Sequence, residues 1–212
     1  MSSQSLLEFQ ALTFERDDWP LFSDLSGTIK AGEILQITGP NGCGKTTLLH
    51  ILATIQPVNT GILRWLGKDI RQCQQQYLAN MAFIGHQPGL KLALSPRENL
   101  QCLRQLHPLT RCRSGEALEH IGLAGFEDSP CYTLSAGQLR RAALATLCMT
   151  EAKLWLLDEP LTALDVQGIA DLEALLLDHV AKGGAVVLSS HQALTNPAVR
   201  TLALDAMTEP EF

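Results

Sequence analysis

The 212-residue chain lacks any apolar run approaching the roughly eighteen residues that a membrane-spanning helix needs. Its start, Met1-Ser2-Ser3-Gln4-Ser5, lacks the charged lead of a secretory signal. These absences predict a soluble, cytosolic chain, so that any membrane work would fall to partners. Clustered basic residues are missing as well. The 16 Lys and Arg are scattered and the formal net charge is −6, which argues against nucleic acid as a partner. The cysteines, Cys43, Cys73, Cys102, Cys112, Cys131 and Cys148, form no C-x-x-C pair and have no paired His companions. That spacing predicts reduced thiols and argues against a zinc-type site. Cys73, Cys102 and Cys148 are expected to pack as small hydrophobes, and Cys112 and Cys131, in polar segments, to be exposed. There is no internal repeat or low-complexity segment, and Gln72 to Gln76 reads as a loop or a solvated helix.

What the chain does have is concentrated at Gly39-Pro40-Asn41-Gly42-Cys43-Gly44-Lys45-Thr46-Thr47, a match to the phosphate-binding pattern GxxxxGK[ST]. Before it, Glu33 to Thr38 alternates apolar with polar as a strand does; after it, Leu48-Leu49-His50-Ile51-Leu52 opens an apolar helix face. By average composition, roughly one chain in a hundred of this length would match the pattern by accident, and the flanking elements lower that further. The chemistry explains the residue types. A triphosphate needs backbone N–H groups packed closely around it, and Gly39, Gly42 and Gly44 clear the way for them at a positive helix N-terminus. Lys45 would reach the β- and γ-phosphates, and the Thr46 hydroxyl would be a Mg²⁺ ligand.

Such a site also needs a carboxylate on a buried strand. Leu154 to Leu157 is an unbroken apolar run, the pattern of a parallel strand covered on both faces, and it ends in Asp158-Glu159. Asp158 therefore falls at a strand's carboxyl end, where open α/β sheets place their ligands, and would hold Mg²⁺. Glu159 is placed to orient or deprotonate an attacking water.

Leu134-Ser135-Ala136-Gly137-Gln138 would by itself be a helix start capped by Ser135. Shortly before the Asp158 strand, it resembles the LSGGQ signature of ATP-binding-cassette (ABC) ATPases. Ile84-Gly85-His86-Gln87-Pro88 resembles that family's Q-loop, Leu161-Thr162-Ala163-Leu164-Asp165 its D-loop, and His191, after the strand Ala185 to Ser190, its switch histidine. The segments Leu21 to Ser26, Ile84 to Lys91 and Leu123 to Asp128, with alanine inside LSAGQ, are similar to the ATP-binding subunits of cytochrome c biogenesis systems, the haem-exporter ATPases.

The alternation of strands with helices in residues 1–85 and 152–205 implies an α/β fold with a mostly parallel sheet and an antiparallel edge from the N-terminal strands, and the resemblance implies a P-loop NTPase cassette with a helical subdomain. Residues 1–85 and 152–205 would form the core, and 86–151 the helical subdomain of a single domain. It implies ATP and Mg²⁺ as cofactors and a head-to-tail dimer with a second copy. In that dimer Ser135, Gly137 and Gln138 would meet nucleotide bound by the partner and Asp165 would line the interface. Gln87 would touch Mg²⁺ and the lytic water, and His191 the γ-phosphate. Integral membrane subunits of a cytochrome c maturation complex would hold the chain at the cytoplasmic face of the inner membrane. An ABC ATPase driving another exporter, or one acting on nucleic acid or ribosomes, is the alternative.

Arg16 stands where the family carries an adenine-stacking aromatic, flanked by Phe14 and Trp19. Either its guanidinium stacks on the base or the register slips; set against both is the reading that Phe14 and Trp19 are simply core and surface residues. Cys43, next to Gly44 and Lys45 at a helix N-terminus, is expected to have thiolate character, unless its side chain points away from the phosphates. Ser95-Pro96-Arg97-Glu98 reads as a helix start, and the short acidic tail from Thr208 is expected to fray.

Overall fold

Two β-sheets of opposite character share one apolar core in the computed structural model, which describes residues 4–16, 19–106, 113–192, 194 and 199–205. Strands β1 (Ser5–Arg16) and β2 (Trp19–Lys30) form a long antiparallel hairpin. β4 (Thr60–Trp65) pairs antiparallel with β1, and β5 (Lys68–Asp69) with β4, giving the order β2-β1-β4-β5. The second sheet is wholly parallel, in the order β6 (Met81–Ile84), β7 (Leu154–Asp158), β8 (Ala185–Ser189), β3 (Ile34–Thr38), β9 (Val199–Ala203). The antiparallel strands thus form a sheet of their own rather than extending an edge of the parallel one. Their inward residues Leu7, Phe9, Leu12, Ile29 and Trp65 pack into the cluster that also holds Leu35, Ile37 and Leu156, so face-to-face burial wins over edge pairing.

The unbroken apolar run of β7 is buried at all five positions, and so is β8. Side chains of alternate residues serve opposite faces. Leu154 and Leu156 join the cluster formed with Leu48, Leu49, Ile51 and Leu52 of α1 (Lys45–Leu52). Trp155 and Leu157 join a second cluster with Leu172 and Leu176 of α6 (Val166–Ala181). β3 does not alternate between core and solvent as its sequence suggests: Gln36 is buried with its neighbours because the strand lies inside the sheet.

The helices α3 (Pro96–Leu106), α4 (Ser114–His120) and α5 (Ala136–Met149) gather around a third cluster of Leu100, Leu118, Ile121, Leu123, Ala142 and Met149. α5 also contributes Leu144 and Leu147 to the second cluster, so this one helix joins the helical layer to the sheet. The start of α3 follows the reading of its sequence: Glu98 N–H donates to Ser95 Oγ at 3.2 Å and Ser95 N–H to Glu98 Oε2 at 2.8 Å. The polar stretch Gln72 to Gln76 lies in α2 (Ile70–Ala79), a solvated helix kinked at Cys73. Among the cysteines, Cys102 is exposed and Cys131 fully buried, the reverse of their expected places, while Cys73 and Cys148 are half-buried. Cys102 falls on the outer face of α3, and Cys131 beneath Asn99, whose Nδ2 lies 3.5 Å from its sulfur. Cys112 and the tail from Thr208 lie outside the described residues.

α2 is pinned by Tyr77, which packs edge-on against Trp65 with ring centroids 5.4 Å apart. Its hydroxyl donates to the carbonyl of Leu52, the last residue of α1, at 2.5 Å. Burial pushes the phenol far above its usual range, so it stays protonated as a donor. Tyr77→Phe is expected to leave that carbonyl unpaired inside the core and to cost about 1–3 kcal/mol. Thermal unfolding should show this as a loss of roughly 2–4 °C per kcal/mol in a chain of this size. A variant that melts with the parent would mean that the helix end is satisfied in another way.

Candidate nucleotide site

β3 delivers the chain into the loop Gly39 to Gly44, which turns directly into α1. The turn needs glycine at 39, where φ is 145° and a Cβ would meet the Leu204 carbonyl oxygen at 2.3 Å. Gly44 takes the N-cap of α1 at φ 99°, and no side chain caps the helix. The first-turn N–H groups are therefore left for an anion, with the helix dipole behind them. Pro40, Asn41, Gly42 and Thr46 lie on the open side of the loop, and Thr47 faces inward. Lys45 is almost completely buried, its Nζ donating to the carbonyls of Gly39 at 2.8 Å and Pro40 at 3.0 Å. The loop's own dipoles hold the ammonium in place, which keeps a point charge beside the phosphate cradle without an acidic partner.

Cys43 does not share that environment. It is 2 % exposed and belongs to the core cluster of Ile37, Leu48 and Leu204, beneath Gly39. Its side chain points away from the open side of the loop, so the expectation of a reactive thiolate among the phosphate donors gives way to a packing role.

Asp158 closes the site from the sheet. It ends β7, is 1 % exposed, and its carboxylate accepts from Thr46 Oγ1 at 3.0 Å and from Ser189 Oγ at 2.7 Å. Glu159 follows with φ 48°, a conformation uncommon outside glycine; its carbonyl accepts from Thr162 N–H at 3.2 Å, and two further bonds hold it. Its N–H donates to Ser189 Oγ at 2.9 Å, and its carbonyl accepts from Arg140 Nη2 at 2.5 Å. The carboxylate Oε1 of Glu159 is buried and, among the described residues, accepts no hydrogen bond. The exposed imidazole of His191 approaches it, with Nε2 at 3.4 Å, an ion pair only when the ring is protonated. His191 is carried on a segment fixed by Gln36, whose Nε2 donates to the Gln192 carbonyl at 2.7 Å and whose Oε1 accepts from Leu194 N–H at 3.3 Å.

The remaining candidates are arranged apart from this cluster. Ser135 caps α5: its Oγ accepts from Gln138 N–H at 3.2 Å, and Gln138 Oε1 accepts from Ser135 N–H at 2.9 Å. Gly137 lies so near the loop after β7 that a Cβ would sit 2.7 Å from the Ala163 carbonyl oxygen. Asp165 caps α6 through Gly168 N–H at 2.8 Å and pairs with Arg141 at 2.5 Å; that backbone bond first, and then Arg141, hold its carboxyl below the usual range. Gln87 and Arg16 are exposed. Among the described residues no hydrogen bond joins Ser135, Gly137, Gln138, Gln87 or Arg16 to the loop 39–47. Phe14 is buried and Trp19 exposed, which places both as core and surface residues at the hairpin end where Arg16 pairs with Trp19.

Three contributors escape the motif reading. Gln36 betrays itself only as a polar residue in an apolar strand, Ser189 as the hydroxyl that ends another, and Arg140 carries no spacing signal beyond its place after Gln138. Arg140 is 3 % exposed, and burial lowers its pKa from the ordinary guanidinium value.

A glycine loop on a helix N-terminus, a buried strand-end Asp and a signature helix with an exposed start define a P-loop nucleotide-hydrolysing cassette, and the comparisons agree. The ABC transporter family model matches residues 22–162, and the chain belongs to that family, whose ATP-binding proteins are ATP hydrolases. The chain is 49% identical over 201 residues to the cytochrome c biogenesis ATP-binding export protein CcmA 2 of Salmonella paratyphi A, covering 94% of this chain and 97% of the relative. To CcmA of Hahella chejuensis it is 46% identical over 205 residues, covering 96% and 97%. Among solved structures, a putative ABC transporter ATP-binding protein from Pyrococcus furiosus superposes with a TM-score of 0.81 at 25% identity, covering 94% of this chain and 98% of that one.

The burial of the thiols has a direct chemical readout. With N-ethylmaleimide on the native protein, Cys102 is expected to react first among the described cysteines, and Cys43 and Cys131 only on unfolding. Nucleotide binding should survive alkylation of Cys102. Peptide mapping that finds Cys43 labelled in the native state, with MgATP protecting it, would overturn the packing role.

Proposed function

We propose that this chain is the ATP-hydrolysing subunit of a membrane complex for cytochrome c biogenesis, a single cassette that works as a head-to-tail dimer. The observation that carries the chemistry is the convergence of Thr46 and Ser189 on Asp158, with Glu159 Oε1, which accepts no hydrogen bond among the described residues, beside it. These are hard oxygen donors, the kind that suit Mg²⁺ with several waters kept, and Thr46, Asp158 and Gln87 would hold the ion. When bound, Mg²⁺ supplies charge neutralisation across the β- and γ-phosphates.

The chain's own residues do the rest. The backbone of Gly39 to Thr47 and the Lys45 ammonium bind and orient the triphosphate. Glu159 Oε1, a buried acceptor without a donor among the described residues, is ready to accept a proton of the attacking water, and His191, beside it on the attacking side, would hold the γ-phosphate. Ser135 is exposed at the start of α5 with Gly137 and Gln138 half-buried beside it; a second copy would bring its own nucleotide there, and Asp165 on the adjoining helix start would line the contact. Arg16 would meet the base edge-on or by stacking.

No helix among the described residues is long and apolar enough to cross a membrane. A cavity of about 600 Å³ opens beside Gln87, lined by Leu78, Met81, Phe83, Leu90 and Leu103 among others. We assign it to a helix of an integral membrane subunit, which would hold the chain at the cytoplasmic face. The relatives are named for cytochrome c biogenesis and export, and that is the pathway we assign to this chain.

Glu159→Gln preserves shape and removes the proton acceptor. It is expected to bind ATP like the parent while turnover falls by about two orders of magnitude or more. With ATP and Mg²⁺ it should elute as a dimer in size-exclusion chromatography; persistent monomer would refute the sandwich. In cells whose own copy is deleted, Lys45→Ala should abolish holocytochrome c formation and spare cytosolic haem proteins. Normal c-type cytochromes in that strain would refute the pathway.

A further inference from the structure

The hydrolytic chemistry above gives Arg140 no contact with nucleotide or attacking water, yet its side chain is buried where the elements of the site meet. It lies on α5, the helix that Ser135 caps, and its guanidinium is buried among main-chain carbonyls. Nη1 donates to Gly85 at 2.8 Å and His86 at 3.3 Å; Nη2 donates to Asp158 at 2.7 Å and Glu159 at 2.5 Å; Nε donates to Pro160 at 3.3 Å. A guanidinium has five N–H donors in a rigid fork, and here they meet five acceptors. Among the described residues no carboxylate forms an ion pair with it. Burying a cation is costly; the nearby Asp158 and Glu159 carboxylates offset only part of that cost, and an apolar side chain of similar volume would fill the space at lower cost.

What the guanidinium achieves is connection. One set of carbonyls starts the loop leading to Gln87; the other ends β7 and fixes the left-handed backbone of Glu159. The helix bearing the guanidinium begins at the residue that, in the dimer, touches the other subunit's nucleotide. We propose that Arg140 is a positioning residue that links the two nucleotide sites of the dimer. It sets Glu159 in its own subunit and, through α5, the Ser135 donor given to the partner, so that occupancy of one site is felt at the other. The linkage rests on the head-to-tail dimer proposed above. A residue that served only its own site would need no tie to α5, and one that only steadied α5 would need no tie to Glu159.

Mixed dimers separate these roles. A Lys45→Ala subunit paired with a Ser135→Arg subunit has one live site, made from the P-loop of the second and the signature of the first. Arg140→Gln is then placed in either subunit of the pair. The linkage predicts that each placement lowers kcat by at least about tenfold, with ATP affinity at the live P-loop kept within about threefold. Thermal melting reports folding. Where Arg140→Gln does not fold, Arg140→Lys, which keeps the buried charge but reaches fewer carbonyls, is judged by the same criteria. Loss in only one placement, or in neither, overturns the linkage. An inactive parent pair overturns the dimer reading, and the linkage with it.

Discussion

The buried carboxylate of Asp158 is the constraint on which the site depends. An isolated carboxylate in such a place would cost several kcal/mol in lost hydration, so the fold must bring donors to it. It brings hydroxyls: Thr46 from the first turn of α1 and Ser189 from the end of β8. Neutral donors satisfy the oxygens without cancelling the charge, which stays available to a cation. Lys45, the nearby ammonium, is instead tied to the carbonyls of Gly39 and Pro40. The register of β7 beside β8, in which Asp158 pairs with Ser189, is therefore a functional alignment as well as a structural one.

Much of this was legible in the residues, and the legible part is local. The phosphate loop, the Asp158 strand and the cap of α5 each place their chemistry within a few consecutive positions. The strand-turn-helix geometry that makes Gly39 and Gly44 necessary is written beside them. The class of fold followed from apolar runs bounded by such loops. What could not be read depends on side chains meeting across more than a hundred residues, as Gln36 meets the segment at 192–194. Arg140, whose carbonyl partners lie 18 to 55 residues away, is hidden for another reason: nothing in a helix sequence says which carbonyls lie above it. Cys43 failed for a different reason: its chain neighbours are polar and cationic, but its rotamer points into a core built from β1, β3 and α1. The separate antiparallel sheet was hidden because alternation reports a covered face without saying which surface covers it.

The loop after β7 is packed with little slack. Ala163 has a positive φ of 66°, and its carbonyl leaves no room for a side chain at position 137. Arg141 extends from α5 to Asp165 and Asp171, so the start of α6 and the signature helix are joined by charge as well as by contact. Asp165 is largely exposed, and its pairing is worth little in free energy; its value is to fix where the loop stands. Whatever approaches the outer end of α5 meets a surface whose parts cannot shift independently.

The cap of α5 separates two properties that usually fall together. Ser135 Oγ accepts from Gln138 N–H, yet a hydroxyl that accepts still has its own proton to give. The helix can therefore stay capped while the same oxygen donates to an incoming anion, and engagement requires no unwinding. Aspartate or asparagine at this position would keep the helix start intact, but aspartate would offer no proton and would add a negative charge. A lineage that drifted from serine to aspartate here would retain a well-folded subunit with a silent face. Gene duplication followed by that one change is a short route to a dimer with one working site and one regulatory site.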